Sequence, residues 1–391
     1  MIPYSRQTIS FLDTLYVARQ VKFKSLTQGF QIKNFEEKVA KYVGSKYAVA
    51  VSSATAGLHL AHLALGNTNG SKVVTSPISF VASANSIIYS GQEPIFIDVD
   101  PNTGNISIEK LQEAINLYKI KTVVPVHYAG FPCEMEKIFT VCRKESIHII
   151  EDAAHALGAE YSTGEKVGSC KYSDLTVFSF HPVKSITTGE GGIITTNNED
   201  LYLKLINLRT HGIARNDEHL QNKILGFTNG KRNVWYYEMQ QLGFHYRLTE
   251  IQAALGVSQM RKINKFIKKR RKVAQRYNRL LKNISNIELL DSNKNMKSAF
   301  HLYPIRINFD KITISKNDLM QAMREKGIMS QVHYIPIPLH PYYINLGYKT
   351  DELAKALDFY FRILSIPIYP GLSILKQRKI VKDLKKLIDK F

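Results

Sequence analysis

Between Tyr47 and Thr196 the chain alternates short apolar runs with helical stretches, and this alternation constrains the fold more than any other feature of the sequence. The runs are YAVAVSS, KVVTS, EPIFIDVD, KTVVPVHY, IHIIEDAA, DLTVFSF and GGIITT. Most are almost wholly apolar rather than alternating, as expected for strands buried on both faces. Such runs, spaced by helical segments, predict a largely parallel sheet covered by helices. After Thr249 the pattern changes to a long basic helix, then HLYPIRINF, then a βα-rich remainder ending in a helix. The expected organisation is an N-terminal arm and large α/β domain over residues 1–250, followed by a smaller α+β domain over residues 251–391. A chain of 391 residues suits this division, because single cores stop growing near ~250–300 residues. No repeat or low-complexity linker separates the halves, so they should pack closely.

Charge raises a competing possibility. The net charge of +20 would by itself suggest a polyanionic partner such as nucleic acid. The one dense basic block, RKINKFIKKRRKVAQRYNRLLKN, keeps Ile263, Phe266, Ile267, Val273 and Leu280 near one helix face. Its cations therefore read as a solvated side. No interleaved aromatics or groove-reading motif accompanies them, and no added DNA-binding segment is seen before Tyr4 or after Phe391. Nucleic acid is not the expected partner, although the charge would still draw anionic small molecules. No run approaches the ~18 apolar residues that span a bilayer, and the N-terminus does not read as a signal peptide. Cys133, Cys142 and Cys170 form no CxxC pair, which argues against a disulfide framework and a zinc site. The expectation is a cytoplasmic protein with no membrane and no metal.

Ligands of such sheets sit beyond the carboxyl ends of the strands, so polar residues that abruptly end apolar runs are the candidates. IHII ends in Glu151-Asp152-Ala153-Ala154-His155, DLTVFSF leads into Ser179-Phe180-His181-Pro182-Val183-Lys184, and AVAVSS ends in Ser53-Ala54-Thr55-Ala56-Gly57. Alone, Asp152 reads as a turn or helix cap and Lys184 as one more surface lysine. Together they match pyridoxal 5'-phosphate, which needs a lysine for covalent attachment, a carboxylate for its pyridine nitrogen and donors for its phosphate. Lys184 and Asp152 supply the first two. Ser179, with a helix starting near Thr55 and ending at Gly66, supplies the third, since a helix N-terminus is a ready phosphate site. Lys184 is then also the base that moves a proton between cofactor and substrate carbons.

Further strings occur in order along nearly the whole chain: Tyr4, LTQG, SSATAGL, SPISFVASANSI, VPVHYAG, EDAAHALGA, GSCKYSDLTVFSFHPVKSITTGEGG, LRTHG, WYYEMQQLGFHYRLTEIQAALG and QVHYIPI. Together they resemble the DegT-type nucleotide-sugar aminotransferases, which share the fold type I architecture of pyridoxal-phosphate enzymes. HPVKSITTGEGG and EDAAHALGA lie nearest to the transaminases of pseudaminic-acid synthesis. That resemblance implies transfer of an amino group from L-glutamate to C4 of a UDP-linked 4-keto-6-deoxy-N-acetylhexosamine. It implies Lys184 as the Schiff-base lysine, Asp152 at the pyridine nitrogen, Ser179, Ala54 and Thr55 at the phosphate, Phe80 near the ring, and His155 at the ring or its hydroxyl. Tyr4, Lys24, Ser25, Leu26 and Thr27, with Gln331, Val332, His333 and Tyr334, are implied as sugar-nucleotide contacts.

The resemblance also implies a homodimer with shared active sites, in which the position of His245 reaches the neighbouring subunit's phosphate. Relatives carry asparagine there, within GYNYR or GFNFR, whereas this chain reads GFHYR. Pro338 and His340 likewise depart from the common HLQPYY. A related dehydratase would replace the lysine with histidine, so Lys184 argues against it. A GDP-linked, perosamine-type acceptor and a non-catalytic cofactor-binding regulator remain as alternatives. His127, His148 and His181 lack metal-ligand spacing and read as packing or hydrogen-bonding residues. Glu190-Gly191-Gly192 reads as a tight turn, and Arg209 with His211 as the fixing of a helix end.

Overall fold

The computed structural model describes residues 1–214, 220–291 and 295–390. The apolar runs become the strands of one sheet: β1 (Tyr47–Val51), β2 (Lys72–Thr75), β3 (Glu93–Phe96), β4 (Ile120–Val124), β5 (His148–Asp152), β6 (Leu175–Ser179) and β7 (Gly192–Thr196). Their order across the sheet is β1-β7-β6-β5-β4-β2-β3. Every neighbouring pair from β6 to β3 is parallel, and β7 runs antiparallel to β1 and β6. The carboxyl ends of β1, β5 and β6 therefore lie on one edge, where β7 begins. β7 is buried throughout and β1 from Ala48 onward, in keeping with runs that lack alternation. Proline is tolerated in β3 because β3 is an edge strand paired only with β2.

Helices α1 (Phe11–Phe23), α2 (Phe30–Val43), α3 (Ala54–Leu65), α4 (Ala82–Tyr89), α5 (Ile108–Leu117), α6 (Met135–Lys144) and α7 (Glu199–Arg209) accompany this sheet. α3 starts where Ser53 caps it, its hydroxyl accepting from the Ala56 amide at 3.1 Å, and it stops at Gly66, whose φ of 71° is left-handed. A second, antiparallel sheet contains Ile287–Leu289, Tyr303–Ile307 and Ile363–Ile366, with Tyr303–Ile307 in the middle. Helices Ile263–Leu281 and Ile374–Lys390 pack with each other in the apolar core that includes this sheet.

Packing moves the division between the two cores away from residue 250. Helix Glu250–Met260 lies against α1 and α2, and Ala253, Val257, Met260, Ile263, Phe266 and Ile267 belong to the core of the large sheet. Val273, Ala274, Tyr277 and Leu281, on the same helix as Ile263, belong to the second core. The basic helix thus serves both. Its buried face runs through Val273, Tyr277 and Leu281 at four-residue steps, so Leu281 is buried and Leu280, expected on that face, is 38% exposed. The N-terminal residues also cross over: Ile2 sits in the second core and forms a bridge with Ile328.

Candidate active site

The Lys184 loop is shaped by its own backbone and hydroxyls. After β6, Phe180 donates to Gly191 at 2.9 Å and its carbonyl accepts from the Thr187 hydroxyl at 2.9 Å and the Thr188 amide at 3.0 Å. The Lys184 amide donates to His181 at 2.9 Å, and the Ser5 hydroxyl holds the Val183 carbonyl at 3.1 Å. This closure returns the lysine over the strand ends. Burial pulls its amine down to about 8, only partly opposed by the negative charge of Asp152.

Asp152 ends β5 and is 5% exposed. Its Oδ1 accepts from the Ala154 amide at 3.1 Å and its Oδ2 from the Ser83 hydroxyl at 2.6 Å. The neighbouring Glu151 points into the core. Burial works to raise its pKa, but His127, Ser173 and Tyr161 hold it on balance below the usual carboxylate range. His127 Nε2 lies 2.7 Å from Glu151, while its Nδ1 accepts from the Cys133 amide at 3.0 Å. His127 is thus tied at both ring nitrogens, and it is a core residue as its spacing suggested.

α3 begins against the same edge because Gly192 makes room. Gly192 pairs with both Val51 and Ser179, and a Cβ there would stand 2.6 Å from the Ala54 amide nitrogen and the Ser53 carbonyl. The glycine is required for close approach, which the tight-turn reading of Glu190-Gly191-Gly192 did not anticipate. The first amides of α3, at Ala54 and Thr55, have no intrahelical partner.

These groups line a cavity of about 910 Å³. Ala54, Thr55, Phe80, Asp152, His155, Ser179, Lys184, Tyr4, Gln331, Val332, His333 and Tyr334 all face it. So do Ser79, Glu190, His340 and the exposed His181, none of which the sequence reading placed there as site residues. Segment 331–334 is strapped to the second sheet: Gln331 and Ser365 exchange backbone bonds at 3.1 and 2.8 Å, and His333 Nδ1 lies 3.0 Å from the Ser365 hydroxyl. The Tyr128 hydroxyl donates to the His333 carbonyl at 2.5 Å. His333 is pushed down to about 3 by burial and by Lys184.

His155 is held well below its ordinary range, first by burial and then by Lys184, and so carries no charge near neutrality. Its Nε2 lies 3.0 Å from the Tyr334 hydroxyl, whereas its buried Nδ1 has no partner among the described residues. The buried His301 ring stands 4.4 Å away. Behind it, Arg270, 1% exposed, donates to the carbonyls of Phe300, His301 and Ile368 at 3.1–3.2 Å. Neither His301 nor Arg270 was singled out from the sequence. The reading of the basic helix treated its cations as solvated, and only the spacing of Arg270 within the apolar face could have marked it.

Two expected groups lie away from this cavity. Lys24, Ser25, Leu26 and Thr27 are exposed in the turn between α1 and α2, where Ser25 and Leu26 carbonyls accept from Gln20 Nε2 and the Glu250 amide. His245 is exposed, its ring 5.3 Å from that of His211, and Arg247 holds it below its ordinary range, followed by burial and His211. Within one chain neither reaches Lys184's cavity. Thr249 and Gln252 do form the expected capping box at the helix start after His245.

The description of the DegT/DnrJ/EryC1/StrS aminotransferase family matches residues 10–385. The chain belongs to that family. A relative in Campylobacter jejuni, named UDP-4-amino-4,6-dideoxy-N-acetyl-beta-L-altrosamine transaminase, is 37% identical over 385 residues, covering 98% of this chain and 96% of its own. The structure of Helicobacter pylori PseC, described as an aminotransferase involved in the biosynthesis of pseudoaminic acid, superposes with a TM-score of 0.90 at 33% identity, covering all of both chains. The structure of Spr1654 of Streptococcus pneumoniae in its PLP form gives a TM-score of 0.89 at 28% identity, covering 100% of this chain and 99% of its own. The fold is that of these fold type I enzymes, and the protein is an aminotransferase.

Aminotransferases of the DegT family depend on pyridoxal phosphate, and the residues present fit it. A buried lysine with a lowered amine, a fixed carboxylate at a strand end, open amides at α3 cleared by Gly192 and the unpartnered Nδ1 of His155 converge on one cavity. Among the described residues no helix is long and apolar enough to cross a membrane.

Proposed function

We propose that the protein transfers an amino group from an amino-acid donor, L-glutamate, to C4 of a UDP-linked 4-keto-6-deoxy-N-acetylhexosamine, as in pseudaminic acid biosynthesis. The observation that carries this reading is the convergence of Lys184, Asp152, the start of α3 and segment 331–334 on one cavity. The names of the Campylobacter and Helicobacter relatives supply the substrate class. Bound pyridoxal phosphate supplies an electron sink for the carbon that loses or gains the amino group.

The chain's own residues do the rest. Lys184 Nζ would hold the cofactor covalently and would serve as the base that moves a proton; its lowered amine suits that task. Asp152 would hold the ring nitrogen, Ala54, Thr55 and Ser179 would hold the phosphate, and Phe80 and His155 would hold the ring. Tyr4 and Gln331, Val332, His333 and Tyr334 orient the sugar nucleotide.

In the same proposal the protein is a homodimer whose subunits complete each other's sites, with Lys24–Thr27 meeting substrate and His245 meeting phosphate in the opposite cavity. Exposed apolar side chains near these segments, among them Phe11, Leu15, Phe30, Trp235 and Leu242, support such an interface. A panel of UDP-, GDP- and dTDP-linked 4-keto sugars, incubated with glutamate, tests the reading. Amination of the UDP-linked N-acetylhexosamine is expected; preference for a GDP- or dTDP-linked sugar rejects that acceptor.

A further inference from the structure

α4 carries an unusual polar face. Ser83, Ser86 and Ser90, with Ser79 just before the helix, are all buried. Ser86 and Ser90 donate to carbonyls of the preceding turn, at 3.0 and 2.8 Å, the ordinary way a buried helical serine satisfies its hydroxyl. Ser83 does not. Its hydroxyl crosses to Asp152 Oδ2 at 2.6 Å, over a sequence separation of 69 residues. Ser79 lies 2.6 Å from Ser83 Oγ. A carboxylate only accepts, so Ser83 gives its one proton to Asp152, and Ser79 must be the donor to Ser83. The pair is thus a directed relay, Ser79 to Ser83 to Asp152, and all three side chains are at most 5% exposed.

We infer that Ser83, oriented by Ser79, is a positioning residue that sets the carboxylate of Asp152 toward the ring nitrogen of the cofactor. The two oxygens of Asp152 are fixed by different partners, Oδ1 by the backbone of its own turn and Oδ2 by α4. The Ala154 amide alone allows rotation about the bond to it; the second anchor removes that freedom. A buried carboxylate that loses one of two donors is poorly oriented and partly unsatisfied. Ser79 also lines the cavity, and with its proton committed to Ser83 it can only accept there.

The inference rests on the proposed use of pyridoxal phosphate but not on the sugar. Its test is therefore the binding of pyridoxal phosphate to the full-length protein, with and without Ser83→Ala, together with the nitrogen NMR signal of cofactor labelled at the ring nitrogen. Ser83→Ala is expected to weaken binding roughly tenfold or more, the ratio for a lost hydrogen bond to a charged group, and to move the ring signal toward the unprotonated form. Ser83→Thr, which keeps the hydroxyl, is expected to restore both. In an Asp152→Asn background Ser83→Ala should change affinity by less than about twofold, since the partner charge is already gone. A merely structural serine would lower the melting temperature equally in both backgrounds and leave the ring signal in place. Affinity within about twofold of the parent with an unmoved ring signal, or the same loss in the Asp152→Asn background, overturns the inference. If the parent protein binds no pyridoxal phosphate, the proposed function falls with it; if it binds but aminates a different sugar, only the acceptor assignment falls.

Discussion

The lowered amine of Lys184 makes a quantitative statement about the cofactor-free protein. An ordinary lysine near 10.5 is neutral in about one molecule in three thousand at pH 7, whereas a group at about 8 is neutral in about one in ten. The reactive form is thus enriched roughly 300-fold at neutral pH. Burial is the main cause and Asp152 opposes it, so Asp152→Asn removes an anion that favours the ammonium and should lower the midpoint further, below 8. Competitive acetylation across a pH series, with the Lys184 peptide quantified by mass, measures the midpoint directly in both proteins. The same displacement has a stability consequence. Because the folded value lies below the unfolded one, this lysine weakens the fold at pH values under about 8, and that penalty fades as pH rises from about 8 to 10.5. A midpoint near 10.5 in the parent, or a rise on Asp152→Asn, would refute the reasoning. The same variant should retain its fold yet lose most of its half-reaction with glutamate; near-normal rates would remove Asp152 from its role.

Three further outcomes are expected. Borohydride reduction of the cofactor-loaded protein should fix the label on Lys184, and Lys184→Ala should lose it; a label on another lysine would move the attachment site. His245→Ala should loosen cofactor retention in the assembled protein without altering the lysine label, and an unchanged cofactor affinity or a fully active monomer would detach His245 from the site. Arg270→Met leaves the carbonyls of Phe300, His301 and Ile368 without their donor and should cost at least ~2 kcal/mol, seen as a lower urea midpoint; an unchanged midpoint would mean that the carbonyls find other partners.

Much of the sheet was legible because its strands are buried on both faces and end abruptly in polar residues, so Asp152, Ser179 and Lys184 stood out by position. Ser83 was not, since a serine in SPISFVASANS carries no strand-end signature and its partner lies 69 residues away. His301 and Arg270 were hidden for a related reason: their importance comes from contacts with His155 and with backbone carbonyls, which have no sequence period. The division at 250 followed a change in pattern at Thr249, but the apolar stripe from Ile263 to Leu281 is continuous while the core it faces changes midway. Lys24–Thr27 and His245 expose a different limit, because one chain's sequence says what a segment contacts only through its relatives, not which copy of the molecule it serves.

The helix shared by the two cores limits how the protein can be taken apart or moved. A cut at residue 250 would strip the large sheet of Ala253, Val257, Met260, Ile263, Phe266 and Ile267, and leave those side chains as a bare apolar stripe on the fragment that kept them. A cut after Ile267 would instead fall inside a helix and sever it from Val273, Ala274, Tyr277 and Leu281. No break near this junction yields two halves that each keep a whole surface, so they should melt in one step rather than two.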